Sequence, residues 1–369
     1  MAIKYYTMKR ILFFLNLILL TASGIFAQSA FRIKGVVLDD STSLPVAGAF
    51  IVCQNTTIGT SSDADGSFSL SVPAGGHDII IGSTGYENDS RRISASAGET
   101  EHVEIRLRKK VKQMDEVVVQ ASSEVADGWE KYGEQFRDYF LGKSPFAKSC
   151  EIENPTALKF YYLKRKKKLR VKADSAVIIK NKALGYSIRY MLDSFIYDYQ
   201  TQFSIHSGVT LFTELEGSEE EKLEWKKNRE DAYWGSRLHF MRSYYDSALS
   251  ENGFLLEEVV RKDSSEVFVP LTNPYDSAFY ERIDSSEIDV LLVGKYRLHY
   301  KDAPMHRSYL EANKYPLSAK GQLSTLELAN GFAIMENGYF YEQRDVISSG
   351  YWAWKNLADQ LPYDYLPEE

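Results

Sequence analysis

Residues 63–72 read Asp63-Ala64-Asp65-Gly66-Ser67-Phe68-Ser69-Leu70-Ser71-Val72. The first four positions are turn chemistry, with Gly66 able to take a positive φ at no steric cost. The next six alternate strictly. Phe68, Leu70 and Val72 share one face and three serines the other, the period of a half-buried strand. Within 49–54, Ala49, Ile51 and Cys53 alternate in the same way. Further short runs at 31–38, 78–83 and 102–107, with a turn at Pro73-Ala74-Gly75-Gly76, recur about every ten residues. A unit over 31–108 with this spacing suits a small antiparallel β-sandwich. Asp63 and Asp65 do not make a calcium loop, which needs a longer series of oxygen ligands closing on a glutamate. The stretch is read as a hairpin turn.

The whole chain has 369 residues, 44% hydrophobic and 26% charged, with a net charge of −7. Such a composition excludes disorder and leaves room for two domains. The mild acidity argues against a nucleic-acid partner, which would call for a basic face. Cys53 and Cys150 cannot staple a small scaffold, and their spacing is not that of zinc ligands. Cys53 is expected as a buried thiol, with a Cys53–Cys150 disulfide as the alternative. Twenty-five tyrosines against 19 phenylalanines favour half-buried pleated surfaces and a β-rich fold.

Residues 1–27 read as a secretory signal peptide. Lys4, Lys9 and Arg10 form a charged start, Ile11 to Leu20 an apolar run, and Ala22, Ser23, Gly24 and Ala27 a small-residue cleavage region. The run is too short to span a bilayer comfortably. Cleavage removes three cations and takes the net charge to about −10. Gln28, not a cysteine, stands immediately after the cleavage point, so no lipoprotein anchor is expected. No second long apolar stretch follows, so no transmembrane span is expected after leader removal. The alternation needed for an outer-membrane barrel is interrupted by a charge-laced helical stretch around 219–251.

Residues 109–123 form a linker, in which Lys109-Lys110-Val111-Lys112 continues the basic stretch begun at Arg108 and Met114-Asp115-Glu116-Val117-Val118-Val119 favours an extended chain. Residues 124–369 read as a larger α+β domain with antiparallel sheet. Trp129, Tyr132, Phe136, Tyr139 and Phe140 place a helix over 126–142. Leu158, Phe160 and Tyr162, then Leu169, Val171 and Ala173, flank Lys164-Arg165-Lys166-Lys167-Lys168. That run is read as a solvated hairpin tip, against the alternative of a phosphate or anionic-lipid site. Tyr186, Ile188, Tyr190 and Leu192 are followed by Phe195, Tyr197 and Tyr199 in opposite parity, which predicts a bulge near Asp193-Ser194. Ser218 and Glu221 form a capping box that starts a helix expected to reach Ser250. Asn330-Gly331 and Asn337-Gly338 predict hairpins between runs at 323–328, 332–336 and 339–341. Trp352 and Trp354 alternate as a sugar-stacking strand would, or dock on the core.

Five motifs fall in order in the first unit: Gly35-Val36-Val37, Leu44-Pro45-Val46-Ala47-Gly48-Ala49, Gly59-Thr60, Asp63-Ala64-Asp65-Gly66-Ser67-Phe68 and Gly85-Tyr86. The series resembles the carboxypeptidase-regulatory-like domain, a transthyretin-like sandwich frequent in Bacteroidetes envelope proteins. That resemblance implies an accessory module, not the catalytic part of a carboxypeptidase. None of the six histidines stands in a zinc-peptidase pattern. The segment at 114–119 resembles the one joining such a domain to the plug of TonB-dependent receptors. Phe140-x-Gly142-x-Ser144, Cys150-Glu151-Ile152, Leu184-Gly185-Tyr186, Arg229-x-x-Ala232-Tyr233-x-Gly235-Ser236-x-x-His239-Phe240 and the aromatic ending resemble longer Bacteroidetes carboxypeptidase-like regulatory domain-containing proteins. This implies envelope location and a two-part architecture, and brings no activity.

The best candidate site is Arg229, Tyr233, Ser236, His239 and Arg242, which helical spacing can gather on one face. The two arginines with a tyrosine and a histidine could grip a carboxylate or sulfate. Alternatively, the strip ties the helix to the sheet by satisfied hydrogen bonds. No nucleophile elbow accompanies the serine. No catalytic residue, metal or cofactor is expected. The sequence therefore points to a non-enzymatic envelope protein, periplasmic or outer-membrane-associated, binding a protein partner or a glycan. The alternatives are a cryptic hydrolase in 124–369 and an accessory of a TonB-dependent uptake system.

Overall fold

The computed structural model describes residues 31–368 apart from 74, 84, 96–99, 111–122, 264, 342 and 344. The signal-peptide reading of residues 1–27 and the extended segment at 114–119 lie outside the described residues.

The first domain contains β1 (Phe31–Asp39), β2 (Phe50–Cys53), β3 (Gly59–Ser61), β4 (Ser67–Val72), β5 (Gly75–Gly82), β6 (Asp89–Ala95) and β7 (Thr100–Leu107). They form two sheets, in the orders β4-β1-β7 and β3-β2-β5-β6. Strand β4 has the bounds its alternation demanded, and Phe68, Leu70 and Val72 are buried. Sequence reading missed β3, only three residues long, and β6, whose first four residues, Asp89 to Arg92, are polar and give no apolar alternation before the buried Ile93. The expected wholly antiparallel sandwich needs one correction. Strand β7 pairs with β1 in parallel, from Arg32↔Thr100 to Asp39↔Leu107. Parallel neighbours need a long crossover, and the chain between them supplies it by building the other sheet. Between the sheets lie Ile33, Val37, Ile51, Ile79, Ile81 and Ile105.

The Gly85-Tyr86 motif closes one end of this sandwich. Tyr86 donates its hydroxyl to Asp39 at 2.8 Å, and Asp39 also accepts the Ser41 and Thr42 amides. The Thr42 amide and then the Tyr86 hydroxyl hold the Asp39 carboxyl far below the usual carboxylate range. Bonds from Glu87 N–H to Arg108 and from Lys110 N–H to Gly85 carry the pairing on to Lys110.

The next sheet contains β8 (Cys150–Ile152), β9 (Leu158–Leu163), β10 (Lys168–Ala173), β11 (Val177–Asn181), β12 (Tyr186–Asp198) and β13 (Phe203–Glu214). Strand β12 runs through its middle, with β13 along one side and β11 and β10 sharing the other. The register shifts between Leu192 and Ser194, so the parity switch read from the sequence is a bulge. Lys164–Lys167 form the turn of the β9–β10 hairpin, with Lys167 left-handed. Helix α1 (Gly128–Phe140) packs its aromatic stripe on β9 and β12. Phe136 and Phe140 are fully buried and stack at 4.8 Å. Truncating either costs about 3–5 kcal/mol. The short α2 (Pro145–Lys148) follows.

Helix α3 (Glu219–Tyr233) opens with the expected capping box from Ser218 and Glu221. The single helix expected to reach Ser250 is in fact two. Trp234 is extended, Gly235 takes φ +73°, and Ser236 caps a new helix, α4 (Arg237–Tyr245). A Cβ at Gly235 would lie 2.5 Å from the Tyr300 ring and 2.6 Å from Gln322 Oε1. The break lets α4 turn into a second core.

The elements that follow are β14 (Phe254–Lys262), β15 (Ser265–Pro270), β16 (Tyr280–Arg282), β17 (Glu287–Val290), β18 (Gly294–Tyr300), α5 (Arg307–Ala312), β19 (Gln322–Leu328), β20 (Phe332–Met335) and β21 (Val346–Gly350), and the second core lies between α4 and their sheets, while α5 packs with Met305 and Tyr351 in a smaller cluster. The sheets run β15-β14-β18-β19-β21 and β16-β17-β20. Asn337-Gly338 is the tight turn expected, with Tyr339 and Tyr341 returning to pair with Met335 and Ala333. Asn330-Gly331 is not a hairpin, because β19 and β20 enter different sheets. Trp352 and Trp354 lie on a helix, α6 (Tyr351–Lys355), which corrects the strand reading. Trp352 is buried and donates its indole N–H to Gly235 O at 2.8 Å. Cys53 and Cys150 are both free and buried, so the disulfide alternative falls.

Candidate functional site

The five residues singled out from the sequence are distributed along α3, the elbow after it and α4, and each is engaged by groups of the protein itself. Arg229 donates from Nε to Leu184 O at 2.8 Å and from Nη1 to Glu214 at 2.6 Å, with its guanidinium over the Tyr186 ring. Trp225 and Asn228 donate to Lys182 O and Ala183 O, so α3 reads three successive carbonyls of the β11–β12 turn. Tyr233 is buried, its ring 5.0 Å from that of His239. Ser236 Oγ accepts the His239 backbone N–H at 3.1 Å, while His239 Nδ1 accepts the Gly235 N–H at 3.1 Å. The serine hydroxyl thus meets the histidine's amide, not its imidazole. Burial first, and the Arg242 charge second, lower the His239 pKa to about 4, so the ring is neutral near pH 7. Arg242 donates to Asn337 O at 3.0 Å and Tyr363 O at 3.1 Å. The strip ties α3 to the β11–β12 turn, and α4 to the Asn337-Gly338 turn and the C-terminal segment.

Two polar groupings went unread in the sequence. In one, Ser144, Lys355 and Asp359 are buried together. Ser144 donates to Asp359 Oδ2 and caps α2 by accepting the Ala147 N–H. Burial pushes the Asp359 carboxyl up to about 6 and the Lys355 ammonium down. These residues are dispersed in the chain, and only the fold of the C-terminal segment against Leu141 and Gly142 gathers them.

The other is the joint between the domains, centred on the β2–β3 turn. Asn55 is 5% exposed and left-handed (φ 57°). Its amide N–H donates to Thr210 O at 2.9 Å, and its side-chain oxygen accepts from the Thr210 N–H and hydroxyl. Thr56 O accepts the Phe212 N–H and Asn55 O the Tyr363 N–H. The Thr57 N–H donates to Asp364 at 3.0 Å. Nearby, the Tyr339 hydroxyl donates to Asp78 at 2.8 Å, and the Arg92 guanidinium carbon lies 3.2 Å from the Tyr341 ring centroid. The turn therefore caps part of the edge of β13, which would otherwise expose unpaired backbone groups. Asn-Thr-Thr at a strand end was the available signal, since Asn tolerates the left-handed region.

Among the described residues, no group of three or more His, Cys, Asp or Glu is placed to hold a metal ion. No helix there is long and apolar enough to cross a membrane.

Parallel and antiparallel strands in two small facing sheets, closed by the Tyr86–Asp39 bond, define the class of the first domain: residues 33–119 match the CarboxypepD_reg-like domain family. Among named relatives, the TonB-dependent receptor SusC of Bacteroides thetaiotaomicron is 36% identical over 118 residues, which cover 30% of this chain. The match spans 11% of that receptor's length. Among solved structures, a cohesin–X-dockerin complex of Acetivibrio cellulolyticus is 22% identical over 21% of this chain and 58% of that chain, with a TM-score of 0.19. A minor pilin of Streptococcus agalactiae is 15% identical over 23% of this chain and 46% of that one, with a TM-score of 0.20. At such scores these likenesses carry no argument.

Proposed function

We propose that the protein is a non-catalytic adaptor of the Bacteroidetes cell envelope, exported to the periplasm or outer membrane and working beside a TonB-dependent uptake system. The similarity of part of this chain to part of SusC is the observation that carries this reading. The geometry is compatible with it. The arginines of the elbow are engaged by carbonyls and a carboxylate, and the Asn55 joint holds the domains as one block that offers surfaces. The test is crosslinking in the native cells followed by identification of captured proteins. Recovery of outer-membrane uptake receptors is expected, and a cytosolic protein with no envelope partner would overturn the proposal. Direct contact with TonB has its own test, deletion of 114–119. That deletion should abolish recovery of TonB in a pull-down, and unchanged recovery would sink that part alone.

A further inference from the structure

The six-stranded sheet has a face turned away from α1, and its register places two rows of side chains there. One row crosses four strands as Leu163↔Lys168↔Asp198↔Phe203, and the next contains Arg170↔Ile196↔Ile205. Phe160, Leu169, Val171, Phe195 and Tyr197 point the other way, into the core beneath α1. The β9–β10 turn adds Lys164, Arg165, Lys166 and Lys167, all exposed, at the end of these rows. Among the described residues, none of these four has a carboxylate within ion-pair distance, nor has Arg170. Asp198 is the carboxylate within the rows, paired with Lys168 at 3.0 Å, and Glu124 lies beyond them beside Tyr161. A chain of net charge −7 thus gathers a dense cationic end on one sheet.

Beside that end, on β13, Phe203 is 40% and Ile205 45% exposed, on the same face as the half-buried Ile196. Phe203 stands two strands from Lys168, about 10 Å away at ordinary sheet spacing. Exposed apolar side chains next to unneutralised cations are what an anionic bilayer surface recognises. The cations stay at headgroup level on their flexible stems while the apolar groups leave water. A soluble polyanion would match the cations but would leave Phe203 and Ile205 hydrated.

We propose that the β9–β10 turn with the adjoining Phe203–Ile205 end of β13 is a peripheral docking surface for an anionic lipid bilayer. This inference stands apart from the adaptor reading, because it needs neither TonB nor a protein partner.

The test is flotation of the chain lacking residues 1–27 with vesicles of phosphatidylcholine alone or doped with phosphatidylglycerol. Binding is expected only to the doped vesicles and should weaken as salt screens the cations. The combined Lys164→Gln, Arg165→Gln and Lys166→Gln variant changes exposed turn residues only. It should lower affinity about 100-fold, at roughly fivefold for each cation near a charged membrane. Phe203→Ser with Ile205→Ser should lower it about tenfold or more through lost apolar burial. Failure of the unaltered chain to bind doped vesicles, or full binding by the turn variant, overturns the proposal. If the Phe203/Ile205 variant floats as well as the parent and dextran sulfate captures both, the surface recognises soluble polyanions, and the lipid assignment is overturned.

Discussion

The two sheets of the first domain are built from similar short strands, yet they bury themselves differently. In β4-β1-β7 the rule is one face in and one face out: Phe68, Leu70 and Val72 are buried, while Ser69 and Ser71 are exposed. In β3-β2-β5-β6 the middle strands are buried on both faces. Ile51, Val52 and Cys53 are at most 2% exposed, and Ile79, Ile80 and Ile81 at most 5%. Ile51, Ile79 and Ile81 fill the sandwich, while Val52 and Ile80 do not belong to that core. The second face is covered because the next domain docks there: a Cβ on Gly59, opposite Val52, would meet Leu211 of β13 at 3.1 Å. Consecutive apolar residues in a short strand of a small antiparallel sandwich thus mark a docking face.

The largest effect should come from the shared interior. Ile51→Ala or Ile81→Ala should cost about 2–5 kcal/mol, read as a lower urea midpoint at unchanged slope. Val52→Ala is the discriminating partner. On a covered face it should cost about 1–3 kcal/mol, whereas Ser71→Ala on the open sheet should stay within about 0.5 kcal/mol. Equal, near-zero costs for Val52 and Ser71 would erase the contrast between the sheets.

Next comes the polar heart of the joint. Asn55→Ala removes the acceptor of the Thr210 amide and hydroxyl and leaves an alanine at φ 57°. An orphaned buried donor and a left-handed non-glycine residue together cost about 2–4 kcal/mol. Asn55→Gly, which relieves the backbone, should recover about 1 kcal/mol of it. Unfolding would separate into two transitions if the joint, more than either core, couples the domains. A smaller loss, about 1 kcal/mol, is expected for Tyr339→Phe, which deletes the 2.8 Å bond to Asp78.

How far could this have been foreseen? Strand β4, the bulge in β12, the capping box at Ser218 and the turn at Asn337-Gly338 each depend on neighbours in sequence, and each was legible. The parallel pairing of β7 was not, because parallel partners exchange no local turn signal. The unbroken helix failed at Gly235, whose left-handed turn is set by Tyr300 and Gln322, distant in the chain. The candidate strip illustrates the same divide. Helical spacing predicts one face for Arg229, Tyr233, Ser236, His239 and Arg242, whereas the break at Gly235 divides them between two helices, and their partners, the carbonyls of Leu184, Asn337 and Tyr363, carry no residue-type signature. Backbone acceptors are invisible to a reading of side chains.

Acidification separates the two sheets most finely. On the doubly buried sheet, His77 is 5% exposed. Its Nε2–H points to Pro73 O at 2.9 Å, so Nδ1 is left to accept from the Cys53 thiol at 3.3 Å. Burial lowers the His77 pKa, against the raising effect of the Pro73 carbonyl. On the open sheet, His102 is exposed. Protonating His77 would charge a buried ring and turn the thiol's acceptor into a donor. The unfolded chain therefore binds the proton at a higher pH than the folded one. Stability is fully present above the unfolded histidine pKa, about 6.5, and falls as pH drops through the lowered folded value. His206 and His239, both lowered to about 4, add losses of the same sign, so the comparison must be made by difference. His77→Gln should make the urea midpoint fall less between pH 7 and pH 5 than in the parent, although the variant begins lower through lost packing. Parallel curves for the His77 variant and the parent would mean that the ring reaches water in the folded state, and the sandwich interior beside Cys53 would then be open to solvent.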